Sequence, residues 1–322
     1  MQTGSFLLLM AVGLLLAGCA ILAGAAVREA RSEAAYPPEG KLLNYNGHQV
    51  HVVERGQPQG TAPDLVLIHG SNGSTRDMTF HLSPALEDRY HILIFDRPGL
   101  GYSDIIDPEG TSVQTQAEMM RSVSQQLGVE RPIVLGQSYG GAVALAWATD
   151  HPDSVSAVVS VSGVSHPWES DLPLFYKLTS SRLGGLLLVP ILSALVTEDY
   201  VLNALDEVYA PQTVPEGYGA HFGLAMSLRR TSLRANARQR ANLRSEIQAM
   251  APRYGDLSMP IEIVHGTADT TVGISIHAER LANETSTARL TRLEGVGHMP
   301  HQTHTEAVVA AVDRAAKRAN LR

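Results

Sequence analysis

Among the 322 residues there is one cysteine, Cys19, so the chain cannot close a disulfide on itself. No cluster of Cys and His has the spacing of a zinc site, and there is no internal repeat or low-complexity tract. Basic residues are outnumbered: 25 Lys and Arg face 32 Asp and Glu, a net charge of −7. That balance argues against nucleic acid as the main partner, because a phosphate-binding surface needs clustered excess cations. After residue 27 no apolar run is long enough to cross a membrane. Before residue 6, Met1-Gln2-Thr3-Gly4-Ser5 lacks the basic side chains of an ordinary secretory signal.

What the chain does have at its start is an unbroken apolar run over residues 6–27, long enough at helical rise to span a hydrocarbon core. Within it, Leu16-Ala17-Gly18-Cys19 resembles the bacterial lipobox, in which the cysteine is lipidated and becomes the new N-terminus. By lipid or by helix, the expectation is a membrane tether on a bacterial cell envelope protein. Residues 28–39, with Arg28, Glu29, Arg31, Glu33 and Pro37-Pro38, read as a charged, stiff linker. Nearly all the chemistry should therefore lie downstream, and a chain beginning near Glu33 is expected to be soluble and active.

The remaining chain is organised around residues 132–147. Ile133-Val134-Leu135 is a short apolar run suited to a buried strand, and Ala142 to Trp147 continues as an apolar helix. Between them stands Gly136-Gln137-Ser138-Tyr139-Gly140. A serine on so sharp a strand-to-helix turn needs glycine two residues before and after it. The turn pushes its hydroxyl toward a cleft near free helix N–H groups.

Other segments fall in order around it. Asn46-Gly47 is a hairpin turn between alternating strands in residues 42–56. The strand Asp64-Leu65-Val66-Leu67-Ile68 runs into His69-Gly70-Ser71-Asn72-Gly73, which has neither the lysine of a P-loop nor a dinucleotide glycine pattern. The strand at residues 91–95 leads to Asp96-Arg97-Pro98-Gly99-Leu100-Gly101-Tyr102-Ser103, and a helix is expected over residues 112–128. These three strand-end motifs, in this order, resemble those of α/β-hydrolase fold enzymes.

That resemblance implies an α/β class protein with a mostly parallel central sheet flanked by helices and an inserted helical cap. The implied division is a signal, lipoprotein signal or membrane anchor at residues 1–27 and a linker at 28–39. The core then occupies 40–164 and 255–322, with the cap at 165–254. It also implies a catalytic triad. Ser138 is the nucleophile, Asp269 after the strand Pro260-Ile261-Glu262-Ile263-Val264 matches the Gly-x-x-Asp acid, and His298 matches the Gly-His base. Val164, Ser165 and His166 leave no acid at the alternative position after the preceding strand. His301 and His304 lie close to His298 but lack the Gly-His match. Backbone N–H groups of Ser71 and Tyr139 are the implied oxyanion donors.

The expected reaction is hydrolysis of a small, lipophilic carboxylic ester through an acyl-enzyme, with no metal and no organic cofactor. Carbon–carbon bond hydrolysis, perhydrolysis, acyl transfer and prolyl peptidase chemistry use the same serine constellation, and a non-catalytic binding protein would keep only the pocket. Trp168, Phe175, Tyr176, Tyr200, Tyr209, Phe222 and Met226 are the candidate pocket residues of the cap. Six arginines between Arg229 and Arg244 read as a solvated helix face, or as a surface for an anionic lipid or acidic substrate.

Overall fold

The computed structural model describes residues 2–322, with side chains from Phe6 onward. An antiparallel hairpin opens the sheet, β1 (Lys41–Tyr45) and β2 (His48–Gly56), joined by Asn46 and Gly47 at φ 51° and 88°. Two consecutive positive φ angles match the twist of the flanking strands, which is why Asn-Gly sits there. The other strands are β3 (Asp64–Ile68), β4 (His91–Phe95), β5 (Ile133–Gln137), β6 (Ala157–Val161), β7 (Ile261–Gly266) and β8 (Ala288–Leu293). Their order in the sheet is β1-β2-β4-β3-β5-β6-β7-β8, and every pair from β4 to β8 is parallel.

Period-two alternation sends the central strands' side chains to both faces of the sheet, and both faces are covered. Leu65, Leu67, Ile133 and Leu135 point to the side packed by Val308, Ala311, Val312 and Ala315 of α13 (Thr305–Arg318). Val66, Ile68 and Val134 point to the side of Val143 and Trp147 of α4 (Tyr139–Asp150). This two-sided burial leaves no exposed position in β4, β5, β6 or β7, which are mostly apolar. Each such side chain contributes about 2 kcal/mol. The chain leaves β3 for β4 on one side and returns to β5 on the other, so the carboxyl ends of β3 and β5 flank the switch in strand order. A crevice opens at such a point in a doubly wound sheet.

The remaining helices are α1 (Gln2–Ala35), α2 (Thr75–Phe80), α3 (Val113–Gln126), α5 (Leu174–Ser180), α6 (Arg182–Leu195), α7 (Glu198–Tyr209), α8 (Tyr218–Phe222), α9 (Leu224–Ser227), α10 (Arg230–Met250), α11 (Ala278–Glu284) and α12 (Pro300–Thr303). The six from α5 to α10 lie between β6 and β7 and form the inserted cap.

The N-terminal helix departs from the expected linker. α1 is continuous to Ala35, and the stretch Phe6–Ala35 is long and apolar enough to cross a membrane. Positions that are not fully exposed recur at helical spacing: Gly18, Ile21, Ala25, Arg28 and Ser32. That stripe packs on α6 and α9, with Ala25 completely buried. Glu29 accepts from Arg230 Nε at 2.8 Å and Nη2 at 2.6 Å, and Glu33 accepts from Arg229 at 3.0 Å. A start near Glu33 would therefore strip one side of the cap, although no triad or cap residue lies upstream of it.

The arginine run likewise is not a solvated face. Arg234 donates to the carbonyls of Thr179 and Ser181, Arg238 pairs with Glu109 at 3.3 Å, and Arg240 lies 5.2 Å from the centre of the Tyr176 ring. Arg229 and Arg230 clamp α10 to α1, Arg234 and Arg240 hold it to the rest of the cap, and Arg238 ties it to the core, while Arg244 is exposed.

Candidate active site

Ser138 closes β5 and caps α4 at φ 52° and ψ −116°, a strained conformation for a residue with a side chain. Sterics leave no freedom around it. A β-carbon on Gly136 would stand 2.0 Å from the Gly140 carbonyl oxygen, and one on Gly140 would stand 2.3 Å from the Ile68 oxygen. Both glycines are thus required for the elbow to approach β3 and fold back on itself. The Tyr139 N–H lies in the first turn of α4, ahead of any helical carbonyl that could receive it. Its ring is buried beneath the Arg97 guanidinium, 3.9 Å from the ring centre, and burial pushes the Arg97 pKa down to about 10.

Across the crevice, β3 delivers the loop from His69 to Gly73. His69 is held neutral because burial, aided by the nearby Arg97 charge, pushes its pKa down to about 4. Its Nδ1–H donates to the Gly70 carbonyl at 2.9 Å, and its Nε2 accepts from the Arg97 N–H at 3.1 Å. Asn72 adopts φ 55° and donates its N–H to Asn236 Oδ1 of α10 at 2.9 Å, so the cap helps fix this loop. Asp96 staples the neighbouring loop. Its carboxylate accepts from the N–H groups of Thr75 and Tyr102 at 2.7 and 2.9 Å and from His51 at 2.6 Å.

The carboxyl ends of β7 and β8 bring Asp269 and His298 together. His298 Nδ1 lies 2.7 Å from Asp269 Oδ2, and both side chains are buried. Asp269 Oδ1 accepts from the N–H groups of Thr271 at 2.9 Å and Val272 at 2.8 Å, while His265 Nε2 stands 3.2 Å from Oδ2. Burial alone would raise this carboxyl's pKa, but hydrogen bonds from His265 and His298 prevail and hold it well below the usual range. The carboxylate therefore stays ionised and fixes the proton of His298 on Nδ1, leaving Nε2 as a base. Gln137 Nε2 stands 3.4 Å from that nitrogen, which is compatible with donation into its lone pair. Among the described residues no hydrogen bond yet joins His298 to Ser138 Oγ. Such pairs are often loose without substrate and tighten in the reacting complex.

Ser71, Ser138 and His298 line one cavity of about 460 Å³. The cap supplies most of its wall, and of the aromatic candidates Phe175, Tyr176, Tyr200 and Phe222 line it. Trp168 packs on the main core instead, Tyr209 stacks edge-on with Tyr218, and Met226 lies outside the cavity wall. Asp77 of α2 adds a carboxylate to the wall, where it accepts from Tyr218 Oη at 2.8 Å and Gln302 Nε2 at 3.0 Å. Four residues thus escaped the sequence reading: Gln137, His265, Asn236 and Asp77; Arg240 enters it only as one of the arginine run. Gln137 lies inside the elbow motif, but as an unspecified position; the other three carry no local signal.

The chain belongs to the alpha/beta hydrolase fold family, whose profile matches residues 63–305. It is 27% identical over 248 residues to a 2-hydroxy-6-oxononadienedioate/2-hydroxy-6-oxononatrienedioate hydrolase of Klebsiella pneumoniae, spanning 73% of this chain and 79% of that enzyme. It is also 31% identical over 283 residues to the polyketide synthase ThaQ of Burkholderia thailandensis, matching 84% of this chain but only 12% of the synthase. Among solved structures, the enol-lactonase from Burkholderia xenovorans superposes with a TM-score of 0.71 at 16% identity, over 86% of this chain and all of that one. A membrane phospholipase A superposes at 0.67 and 21% identity, over 97% of this chain and 96% of its own.

Proposed function

We propose that the protein is a membrane-tethered serine hydrolase that cleaves lipophilic carboxylic esters through an acyl-enzyme. The observation that carries this reading is the 2.7 Å Asp269–His298 hydrogen bond in the same crevice as a serine on a strained elbow. In this reading Ser138 Oγ attacks the ester carbonyl while His298 Nε2 takes its proton. The N–H groups of Tyr139 and Ser71 receive the oxyanion, each worth about 3 kcal/mol in the transition state. His298 then protonates the departing alcohol. Water adds to the acyl-enzyme with His298 again as base, and the acid leaves as Ser138 recovers its proton.

The relative from Klebsiella supports a carbon–carbon bond hydrolase as a second reading. The cavity favours the ester reading. A dicarboxylate substrate calls for cationic partners, and Arg240, already stacked on Tyr176, is the only Lys or Arg among the described residues of the wall. An apolar cavity suits an acyl chain. The tether is supported by the length and character of α1, and by a likeness to a membrane phospholipase A that takes in 97% of this chain.

The test is a fluorophosphonate probe followed by p-nitrophenyl esters of rising chain length. The expected result is one adduct, on the peptide carrying Ser138, with ester turnover lost in Ser138→Ala. Labelling that persists in Ser138→Ala would sink the assignment. Turnover of a 2-hydroxy-6-oxo-dienoate without ester turnover would select the second reading.

A further inference from the structure

A helix apolar all round must be buried in protein or in lipid. α6, Arg-Leu-Gly-Gly-Leu-Leu-Leu-Val-Pro-Ile-Leu-Ser-Ala-Leu, has three apolar faces. One carries Leu192, which lines the active-site cavity. A second holds the buried Val189 and Ser193 and meets α1, where Gly24 lies against Ala194. The third is in the open: Leu183, Leu186 and Leu187 are 73%, 70% and 63% exposed, and Leu195 follows two turns further on. Leu174 and Leu178 of α5 extend that surface around a 107° bend, and the two helices together are apolar enough for a broken membrane span. Soluble proteins seldom leave so continuous an apolar patch in water.

The position of α1 identifies what covers it. A hydrocarbon core of about 30 Å takes up roughly 20 residues of helix. Counted from Phe6, that length ends near Ala25, the level at which α1 reaches α6 and becomes buried. The C-terminal end of α6 thus meets the membrane boundary, with the leucine face beside it. Arg182 at the start of α6 and Tyr200 just beyond its end are exposed, as interfacial anchoring side chains are.

We infer that the outer face of the α5–α6 elbow is a membrane-inserted surface, seated in the acyl-chain region of the leaflet against which α1 holds the cap. The enzyme then takes an acyl ester directly from that leaflet, with one helix thickness between lipid and cavity. The first statement rests on reading α1 as a span, and the second on the ester reading.

The full chain, reconstituted in phosphatidylcholine vesicles containing a few per cent of a diazirine-acyl phospholipid, is irradiated and its crosslinks are mapped. Crosslinks on Leu183, Leu186 or Leu187 as well as on α1 support the surface. Crosslinks on α1 alone, or in the cap only on cavity-lining residues such as Leu192, overturn it. No crosslinks on α1 would defeat the span reading and this surface together. The variant Leu183→Gln/Leu186→Gln/Leu187→Gln is then compared with the parent. The expected outcome is at least a tenfold fall with a long-chain ester carried in vesicles and an unchanged rate with p-nitrophenyl acetate. Equal effects on both, or none on either, overturn delivery from the leaflet. A parent inactive on both esters sinks the ester reading and leaves delivery with it, while the crosslinks still decide the surface.

Discussion

Replacing Asp269 by Asn changes one atom, and the surroundings dictate where the new nitrogen goes. Thr271 and Val272 both aim N–H groups at Oδ1, so that site must stay an oxygen or two hydrogen bonds of about 1 kcal/mol each are lost. The amide NH₂ therefore takes the place of Oδ2, 2.7 Å from His298 Nδ1. Donor would then face donor. The imidazole escapes by shifting its proton to Nε2, the nitrogen that must accept from Ser138, and it also loses the charge that stabilises its cationic form. In a serine triad this exchange costs about 10⁴ in turnover, or roughly 5.4 kcal/mol. The measurement is kcat for a p-nitrophenyl ester, with circular dichroism to verify folding. Stability adds a second signature. Asp269 has its pKa held down in the folded protein, so its contribution is present above the ordinary carboxylate range and is lost as pH falls through the folded value. The stability gap between parent and Asn variant should thus narrow on acidification. A folded variant within 100-fold of the parent's turnover would refute the assignment of the acid.

Glu246 has its carboxyl pushed up to about 7 by burial, against one hydrogen bond from the Val113 N–H. Between pH 4.5 and 7 the folded protein holds a proton that the unfolded chain has released, so stability falls as pH rises through that window. Glu246→Gln keeps an acceptor for Val113 and should be neutral near pH 4 but stabilising by about 2 kcal/mol at pH 8, read from urea unfolding; equal stability at both pH values would contradict this. Gly70→Ala would place a β-carbon 2.3 Å from Gln137 Oε1 and displace the side chain beside His298, so kcat should fall at least tenfold with little change in melting temperature. Glu29→Ala removes both bonds to the Arg230 guanidinium and should cost about 1 kcal/mol by thermal unfolding in detergent, whereas no change would mean the clamp is idle.

The parts legible in the sequence are those whose causes are local. Gly136 and Gly140 are dictated by clashes within a few residues or with the adjacent strand, and Asn46-Gly47 by the twist of a two-residue turn. The strands of the core show as apolar runs because both faces of the sheet are covered. Asp269 and His298 are assigned through the Gly-x-x-Asp and Gly-His motifs of the family resembled, each a few residues beyond a strand, and only the sheet order brings them to the same crevice. The arginine run misled for the opposite reason. Its cations are visible at helical spacing, but their partners Glu29, Glu33, Glu109 and the carbonyls of α5 lie far away in sequence. Charge alternation after an apolar run looks the same whether it is a solvated linker or a docked helix. The difference lies in the acceptors and donors it meets.

α10 is where those long-range contacts converge. At its start Arg229 and Arg230 grip Glu33 and Glu29 of α1. Two turns on, Asn236 receives the Asn72 N–H of the loop that carries Ser71. Gln239 then donates to the Pro98 carbonyl and accepts from Arg97, whose guanidinium covers Tyr139, and Arg240 reaches the cavity wall. A rigid helix spanning about 16 Å over these residues ties the helix proposed as the anchor to both proposed oxyanion donors. The geometry of the N–H pair is therefore set partly by how α1 seats on the cap. The α1 helix is thus a wall of the cap as well as the proposed tether, and its docked half belongs to the architecture that shapes the site.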